Sequence, residues 1–306
     1  MTITPDMQTI PASEAGSNAI RLLITALEAR WENYRTQVET CRGEFSEEAI
    51  HDLRVSARRL LAILDMGRAF DPKPHLQKAR RTLKDQIDNL DDLRDVQVMR
   101  MEVAKTPLDI KLFETHLQER EKRLLKTAHK QILALKLSKL KKRIDKIRAA
   151  LEKRNLEEDF QAQLFRSVDR AYSRTMKAFA KVDASQPGSI HRLRLAFKGF
   201  RYMAEIVQPL IPSPPKKYLE RMHEYQSSMG DIHDIEVFLS ALKDFSEGAG
   251  ESFDPNPVKH FYEQRYTELV GAFMVDKGEL ISFWRAAPEQ AFPLENKKEG
   301  VDKIVG

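Results

Sequence analysis

The sequence predicts an all-α fold of two pseudo-symmetric antiparallel four-helix bundles generated by an internal repeat. Three observations carry that expectation. Leu, Ala, Lys, Arg and Glu at helical spacing fill most of the 306 residues, while Gly is scarce at 12 and alternating runs of Val, Ile and Thr are hard to find. A cationic amphipathic helix occurs twice, beginning near Ile50 and near Ile190. The order of helices around each copy is the same, and short connections favour antiparallel neighbours.

In the first copy, Ile50 to Leu64, a turn of about 100° per residue puts His51, Arg54 and Arg58 on one face and Leu53, Leu60 and Leu64 on the other. In the second, His191, Arg194, Lys198 and Arg201 share the polar face, opposite Leu193, Phe200 and Ala204. Taken singly, either copy is an amphipathic helix with a solvated side. Repetition 140 positions apart favours more, because like charges three and four residues apart repel by a few tenths of a kcal/mol, roughly, per pair. Asp65 and Glu205, at equivalent positions, neutralise the faces only in part. A polyanion would supply the rest.

The helices follow in order. Met1 to Ala15 reads as a tail, and Ser17 caps a first helix through Leu23, Leu27, Trp31 and Tyr34 to Cys41, stopped by Gly43. Ser46 opens the His51 helix, which runs to about Phe70 before Asp71-Pro72-Lys73-Pro74 breaks it. A long third helix is expected from His75 to Ala104. A fourth region, after Pro107, holds Leu112, Phe113, Leu117, Leu124 and Ile132, and a short basic helix from Ser138 to Leu151 bridges the halves. Asn155 caps a helix to about Val182, and Pro187-Gly188-Ser189 turns into the His191 helix. After the joint Pro209 to Pro215, a helix spans Lys216 to Phe245, Ser246 to Pro257 is a loop, and a last helix runs from Val258 to Trp284. The division is thus a tail (1–15), a first repeat (16–154), a second repeat (155–287) and a C-terminal tail (288–306).

A second motif repeats as well. Leu90-Asp91-Asp92-Leu93-Arg94-Asp95-Val96 matches Met229-Gly230-Asp231-Ile232-His233-Asp234-Ile235, 139 positions on, type for type at most positions. The repeat therefore spans two helices with a slip of one residue.

Composition sets the limits. With 42% hydrophobic residues the chain can bury a substantial core. Cys41 is the lone cysteine, so no disulfide forms within the chain, which suits a reducing cytoplasm. No basic start with an apolar run marks a signal peptide, and no stretch is apolar enough to span a bilayer. No membrane partner is expected. The net charge of +5 is a weak indicator, but residues 1–154 hold 31 Lys and Arg against 23 Asp and Glu, and residues 155–306 hold 20 against 23. Residues 120–154 alone carry 14 basic against three acidic side chains, either a solvated helix or an accessory polyanion surface.

The motifs His51-x-x-Arg-Val-x-x-Arg-Arg59, His191-x-x-Arg-x-x-x-Lys-x-x-Arg-Tyr202, Leu93-Arg-Asp95 and Gly230-Asp-Ile-His-Asp234 resemble the CHAD domain, the conserved histidine α-helical domain, over roughly residues 16–290. The resemblance implies paired helical bundles around a basic cavity that binds inorganic polyphosphate without turnover. It also implies a site made of His51, Arg54, Arg58, Arg59 and Arg94 with His191, Arg194, Lys198 and Arg201. Leu61, where the first copy often has another Arg, and Gly199, the counterpart of Arg59, depart from the pattern and weaken it locally. Some CHAD proteins carry an N-terminal CYTH triphosphatase domain, and from the short stretch before Ser17 none is expected here.

A polyphosphate chain suits such a site, since Arg grips phosphate oxygens with a planar fork and Lys adds a point charge, while released counterions make affinity steep in salt. Arg80, Arg81 and Lys84 on the third helix extend the candidate site, as do Lys78 and its repeat partner Lys217. The stripe Arg166, Arg170 and Arg174 is either basic surface or ordinary intrahelical pairing with nearby acids. His51 and His191 are phosphate contacts, neutral donors that orient a carboxylate, or metal ligands. His51-Asp52 and His233-Asp234 look like the dyads of metal-dependent phosphohydrolases, acting on phosphate esters or polyphosphate, but Asp52 becomes Arg192 in the repeat. The rival binding reading is a general polyanion or nucleic-acid binder, and no exposed aromatic series or reading module supports specific nucleic-acid recognition. The expectation is therefore non-enzymatic polyphosphate binding for targeting, storage or scaffolding, in the cytoplasm and with polyphosphate granules. No catalytic residue, metal or cofactor is assigned, and protein partners are unknown.

Overall fold

Apolar side chains at three- and four-residue spacing build every element of the computed structural model, which describes residues 12–69, 73–154, 159–186, 188–211 and 217–292. Among the described residues there are helices and no strands. The first helix, α1 (Ala12–Gly43), buries Leu23, Leu27, Tyr34, Val38 and Cys41 along one stripe. It begins before the expected cap at Ser17, because Ala12, Glu14 and Ala15 are good helix formers and Ser17 lies within the helix. Helix α2 (Glu47–Gly67) starts where expected, with Ser46 Oγ accepting from the Ala49 N–H at 3.2 Å and Glu47 and Glu48 in the first turn.

The long helix expected over His75 to Ala104 is two helices, α3 (Pro74–Asp88) and α4 (Asp91–Val103). Asn89 and Leu90 form the break, and two aspartates follow, which favour a helix N-terminus over an interior. The counterpart in the second half stays continuous through Ser228, Met229 and Gly230 in α9 (Tyr218–Ala249). Between them lie α5 (Lys111–Leu133), α6 (Leu137–Glu152), α7 (Phe160–Phe179) and α8 (Ser189–Val207).

The expected loop from Ser246 to Pro257 is mostly helical: α9 continues to Ala249, where Gly250 takes a left-handed φ of 58° and ends it. The last helix, α10 (Asn256–Asp276), stops short of Trp284, and Lys277–Phe283 tightens into a 3-10 turn that begins beside Gly278. The Asn155 cap and most of the Pro209–Pro215 joint lie outside the described residues, as do residues 1–11 and 293–306 of the tails.

Neighbours in sequence pack side by side: α1 on α2, α2 on α3, α4 on α5, α7 on α8, α8 on α9 and α9 on α10. Helix α6 lies against α1 and α3. The pairs α1 and α7, α2 and α8, and α4 and α9, which occupy like places in the two halves of the sequence, also touch one another. The larger core draws Leu27, Leu53, Leu60 and Leu83 together with Leu164, Phe197 and Phe200. The smaller one joins Val96, Met99 and Phe113 of α4 and α5 to Phe238, Leu242 and Tyr262 of α9 and α10. Each core therefore takes side chains from both halves. The end of the described chain is anchored on α7, where Asp169 accepts from Trp284 Nε1 at 2.8 Å and from Arg285 Nε and Nη2 at 3.0 and 2.8 Å.

Candidate polyanion site

The apolar stripes of α2 and α8 fix the rotation of both helices. Leu53, Leu60 and Leu64 are fully buried on α2, and Leu193, Phe200 and Ala204 on α8. Because these helices pack together, the cationic residues between those stripes meet at the seam. Their mutual repulsion reflects it: Lys198 lies in the field of Arg58, Arg194 and Arg54, and Arg194 in that of Arg58.

These cations are not on a solvated face. Arg54 is only 5% exposed, its Nη1 donates to the Leu90 carbonyl at 3.2 Å, and its Nη2 is bonded to Asp91 Oδ1. The break between α3 and α4 turns that carbonyl and that carboxylate towards α2. Arg58 Nη2 also donates to Asp91 Oδ1, at 3.3 Å. Burial lowers the Arg54 guanidinium to about 10, and neighbouring Arg58 pushes the same way. Arg54 Nε is buried and has no hydrogen-bond partner.

Across the seam the situation differs. Among the described residues, neither Arg194 nor Lys198 forms a hydrogen bond or salt bridge. Arg194 is held below its ordinary value by burial, against which Asp234 acts. Lys198 is pushed down to about 6 by burial first and then by Arg58, Arg194 and Arg54, with Asp91 a minor offset. The reason is legible in the repeat. Gly230 occupies the place that Asp91 holds in the first half, so the α8 cations lack that carboxylate clamp. A Cβ at Gly230 would stand 3.9 Å from Arg194 Nε, in ordinary contact.

The second motif borders the same seam. Asp95 and Asp234 are both pushed above the usual carboxylate range by burial, against the pull of Arg54 and His233 on the first and of Arg194 and His233 on the second. Arg94 Nη1 donates to Glu47 Oε1 at 3.0 Å and lies close enough to His51 to lower it, after desolvation. The counterpart of Arg94 is His233, whose Nδ1 is 3.0 Å from Nδ1 of His191. Desolvation, then His233 and Arg194, push His191 below its ordinary value. Glu236 stands 3.8 Å from His233 and accepts from Tyr266 Oη at 3.1 Å. Burial pushes Glu236 up, and hydrogen bonds from His233, Tyr266 and the Gly188 N–H outweigh it. Among the described residues, no group of three or more His, Cys, Asp or Glu is arranged to hold a metal ion.

The remaining candidates lie in other surroundings. Arg59 Nε stands 3.6 Å from Glu205 Oε1, in a cluster with Arg30, whose Nη1 donates to the Arg59 carbonyl at 3.0 Å and whose Nη2 donates to Glu205 at 3.3 Å. Arg80 is paired with Asp65, which burial raises. Arg201 donates to Gln226 Oε1 at 2.9 Å and stacks over Tyr202. Arg81 and Lys84 are exposed on α3, and Lys217 is exposed at the start of α9, 3.7 Å from Glu220. Gly199 has open space around it.

Sequence reasoning missed Asp91, Asp95, Asp234, Glu236 and Arg30. The repeated motif around Asp91 was the signal for three of these, since residues duplicated beside a cationic helix are placed to face it.

Comparison with known proteins bears on the fold and the family. The CHAD domain profile matches residues 25–243. No curated protein matches the chain. Among solved structures, the CHAD domain from the plant Ricinus communis is similar over 90% of this chain and 93% of its own, with 17% identity and a TM-score of 0.63. PptA from Streptomyces chartreusis is similar over 85% of this chain and 98% of its own, with 18% identity and a TM-score of 0.54. These likenesses are of fold, and the profile match, which takes in both cationic helices and the motif on each of α4 and α9, makes this chain a member of the CHAD family.

Proposed function

We propose that the seam between α2 and α8 binds inorganic polyphosphate, without turnover, and that the chain serves to target, store or scaffold the polymer. One observation carries the reading: Arg194 and Lys198 are mostly shielded from water, carry no ion pair of their own, and face two more cations, Arg54 and Arg58, from the opposite helix. Gathering buried cations without counter-ions is unfavourable, and Lys198 gives up its proton near neutral pH unless a ligand supplies the opposite charge. A flexible chain of phosphates does so without base or sequence recognition. Polyphosphate binding is known for the family. On this reading residues 16–154 and 155–287 are two repeats of one CHAD domain, 16–290, each giving one wall of the site. His51, Arg59, Arg94, His191 and Arg201 flank it, with Arg80, Arg81 and Lys84 further out.

The test is titration with long-chain polyphosphate, duplex DNA and orthophosphate at two salt concentrations, with a phosphate-release assay in Mg²⁺ and in Mn²⁺. Tight, salt-sensitive binding of polyphosphate alone is the expected result. Release of phosphate instead identifies a hydrolase, and equal affinity for DNA identifies a general polyanion binder. Arg194→Gln, which removes the charge without adding a carboxylate beside Asp234, is expected to weaken polyphosphate binding by at least about tenfold while leaving the circular dichroism spectrum unchanged, because among the described residues Arg194 forms no hydrogen bond or salt bridge.

A further inference from the structure

The charges of α6 are sorted by flank. Towards α1, Arg148 Nε lies 2.9 Å from Glu28, Arg148 Nη2 is 2.8 Å from Glu152, and Lys141 bonds Asp145 at 2.9 Å. These two acids, Asp145 and Glu152, are the only ones in the helix. Towards α3, Arg143 Nη1 donates to the Lys78 carbonyl at 3.1 Å and to Thr82 Oγ1 at 2.9 Å. Helical geometry puts Lys139, Lys142 and Lys146 on the outward face, turned away from the buried Leu140, Ile144 and Ile147, with Lys139 and Lys146 next to Arg143. All three are exposed, and among the described residues none has a hydrogen bond or ion pair. Intrahelical pairing, the ordinary use of such a run, neutralises one side of α6 and leaves the other bare.

Helices α1 and α3 each pack on both α2 and α6, so α6 lies across this bundle from α2. Over α3 the path from α2 to α6 is two interaxial steps of about 8–10 Å, roughly 20 Å. The outer face of α3 carries Lys78, Arg81 and Lys84 mixed with Asp85 and Asp88, so it neither attracts nor repels strongly. The unbalanced charge is on α6.

Resting on the polyphosphate reading of the seam, we propose that the Lys139, Lys142 and Lys146 flank is a second contact for the same polymer, engaged when a chain held at the seam is long enough to cross α3. A tethered segment meets this flank at high effective concentration, so a few lysines that would hold a free oligomer only weakly contribute to a long one. Affinity then rises with chain length beyond what the seam alone gives.

The experiment compares tripolyphosphate, too short to span both places, with long-chain polyphosphate, on the full chain. Lys139→Glu/Lys142→Glu/Lys146→Glu is expected to weaken long-chain binding on the order of tenfold and to lower its salt slope by about two, while tripolyphosphate binds as before. A charge-matched control, Lys122→Glu/Lys126→Glu/Lys130→Glu on the exposed face of α5, is expected to leave both unchanged. Unaltered long-chain affinity in the α6 variant overturns the second contact and leaves the seam intact. Equal loss in the α5 control overturns it too, by showing attraction to net charge. Duplex DNA that binds the wild type as tightly as the long polymer, and is lost equally in the α6 variant, makes the flank a nucleic-acid contact and overturns the assignment. A wild type that binds neither phosphate ligand sinks the seam reading and this one together.

Discussion

Lys198 is the residue whose chemistry has the widest reach. In the free protein its ammonium titrates at about 6 in place of 10.5, so over that interval the unfolded chain binds more protons than the folded one. The contribution of this group to the stability of the free protein is therefore expected to rise with pH between about 6 and 10.5, and to be level below about 6, where both states hold the proton. Lys198→Met, which keeps the length and removes the charge, should flatten this dependence in urea titrations and raise stability near neutral pH, while weakening polyphosphate binding. A steep dependence retained in the variant would assign the effect to other groups. A phosphate neighbour restores the charged form, so binding takes up protons near neutral pH. Calorimetry in buffers of different ionisation enthalpy is expected to show that uptake in the wild type and a smaller one in Lys198→Met.

Among the elements, the break between α3 and α4 has the clearest consequence. It supplies the Leu90 carbonyl and the Asp91 carboxylate that hold Arg54, and Asp91 also reaches Arg58. Asp91→Asn is expected to destabilise the fold by about 2 kcal/mol, since Arg54 is buried although Asp91 is half open to solvent. The same change should tighten polyphosphate binding by releasing two cations, so stability and affinity move in opposite directions. Thermal melting and titration of one preparation measure both. Arg54→Glu, by contrast, puts a second carboxylate beside Asp91 in a buried place, and its loss of binding is expected to come with loss of fold.

The break also marks the limit of what the sequence made legible. The helical faces of α2 and α8 could be read because burial follows the 3.6-residue period, and Leu53, Leu60, Leu193 and Phe200 are all buried as that period requires. The interruption at Asn89 and Leu90 could not, because its apolar stripe continues on both sides with Leu83, Ile87 and Val96. The cations of the site were visible as residue types in a repeated pattern. Their burial, and the carboxylates facing them from α4 and α9, depend on packing between helices far apart in sequence, which no local period encodes.

At the scale of the whole molecule, both cores are shared. Val96, Met99 and Phe113 pack with Phe238, Leu242 and Tyr262, and the larger core likewise crosses between the halves. Residues 16–154 produced alone are thus expected to leave much of this apolar surface without partners and to show no cooperative thermal transition, whereas the full chain melts as one unit. Phe238→Ala, at the centre of the smaller core, should cost about 3–5 kcal/mol by urea unfolding without dividing the transition into two. Two separate transitions in the full chain would show that the halves fold independently.

Asp91, set against the open place at Gly230, also bears on which phosphates the protein ignores. On the polyphosphate reading the α2 side carries its own resident competitor, the Asp91 carboxylate bonded to Arg54 and Arg58. A lone orthophosphate held at the vacant α8 side gains Arg54 and Arg58 only by evicting that carboxylate in a free encounter. A polymer first captured by the vacant α8 side presents its next unit repeatedly at close range until the displacement succeeds. On that reading the unequal walls filter out the small phosphate compounds that crowd any cell, with a threshold set by the number of linked units needed to reach from one wall to the other.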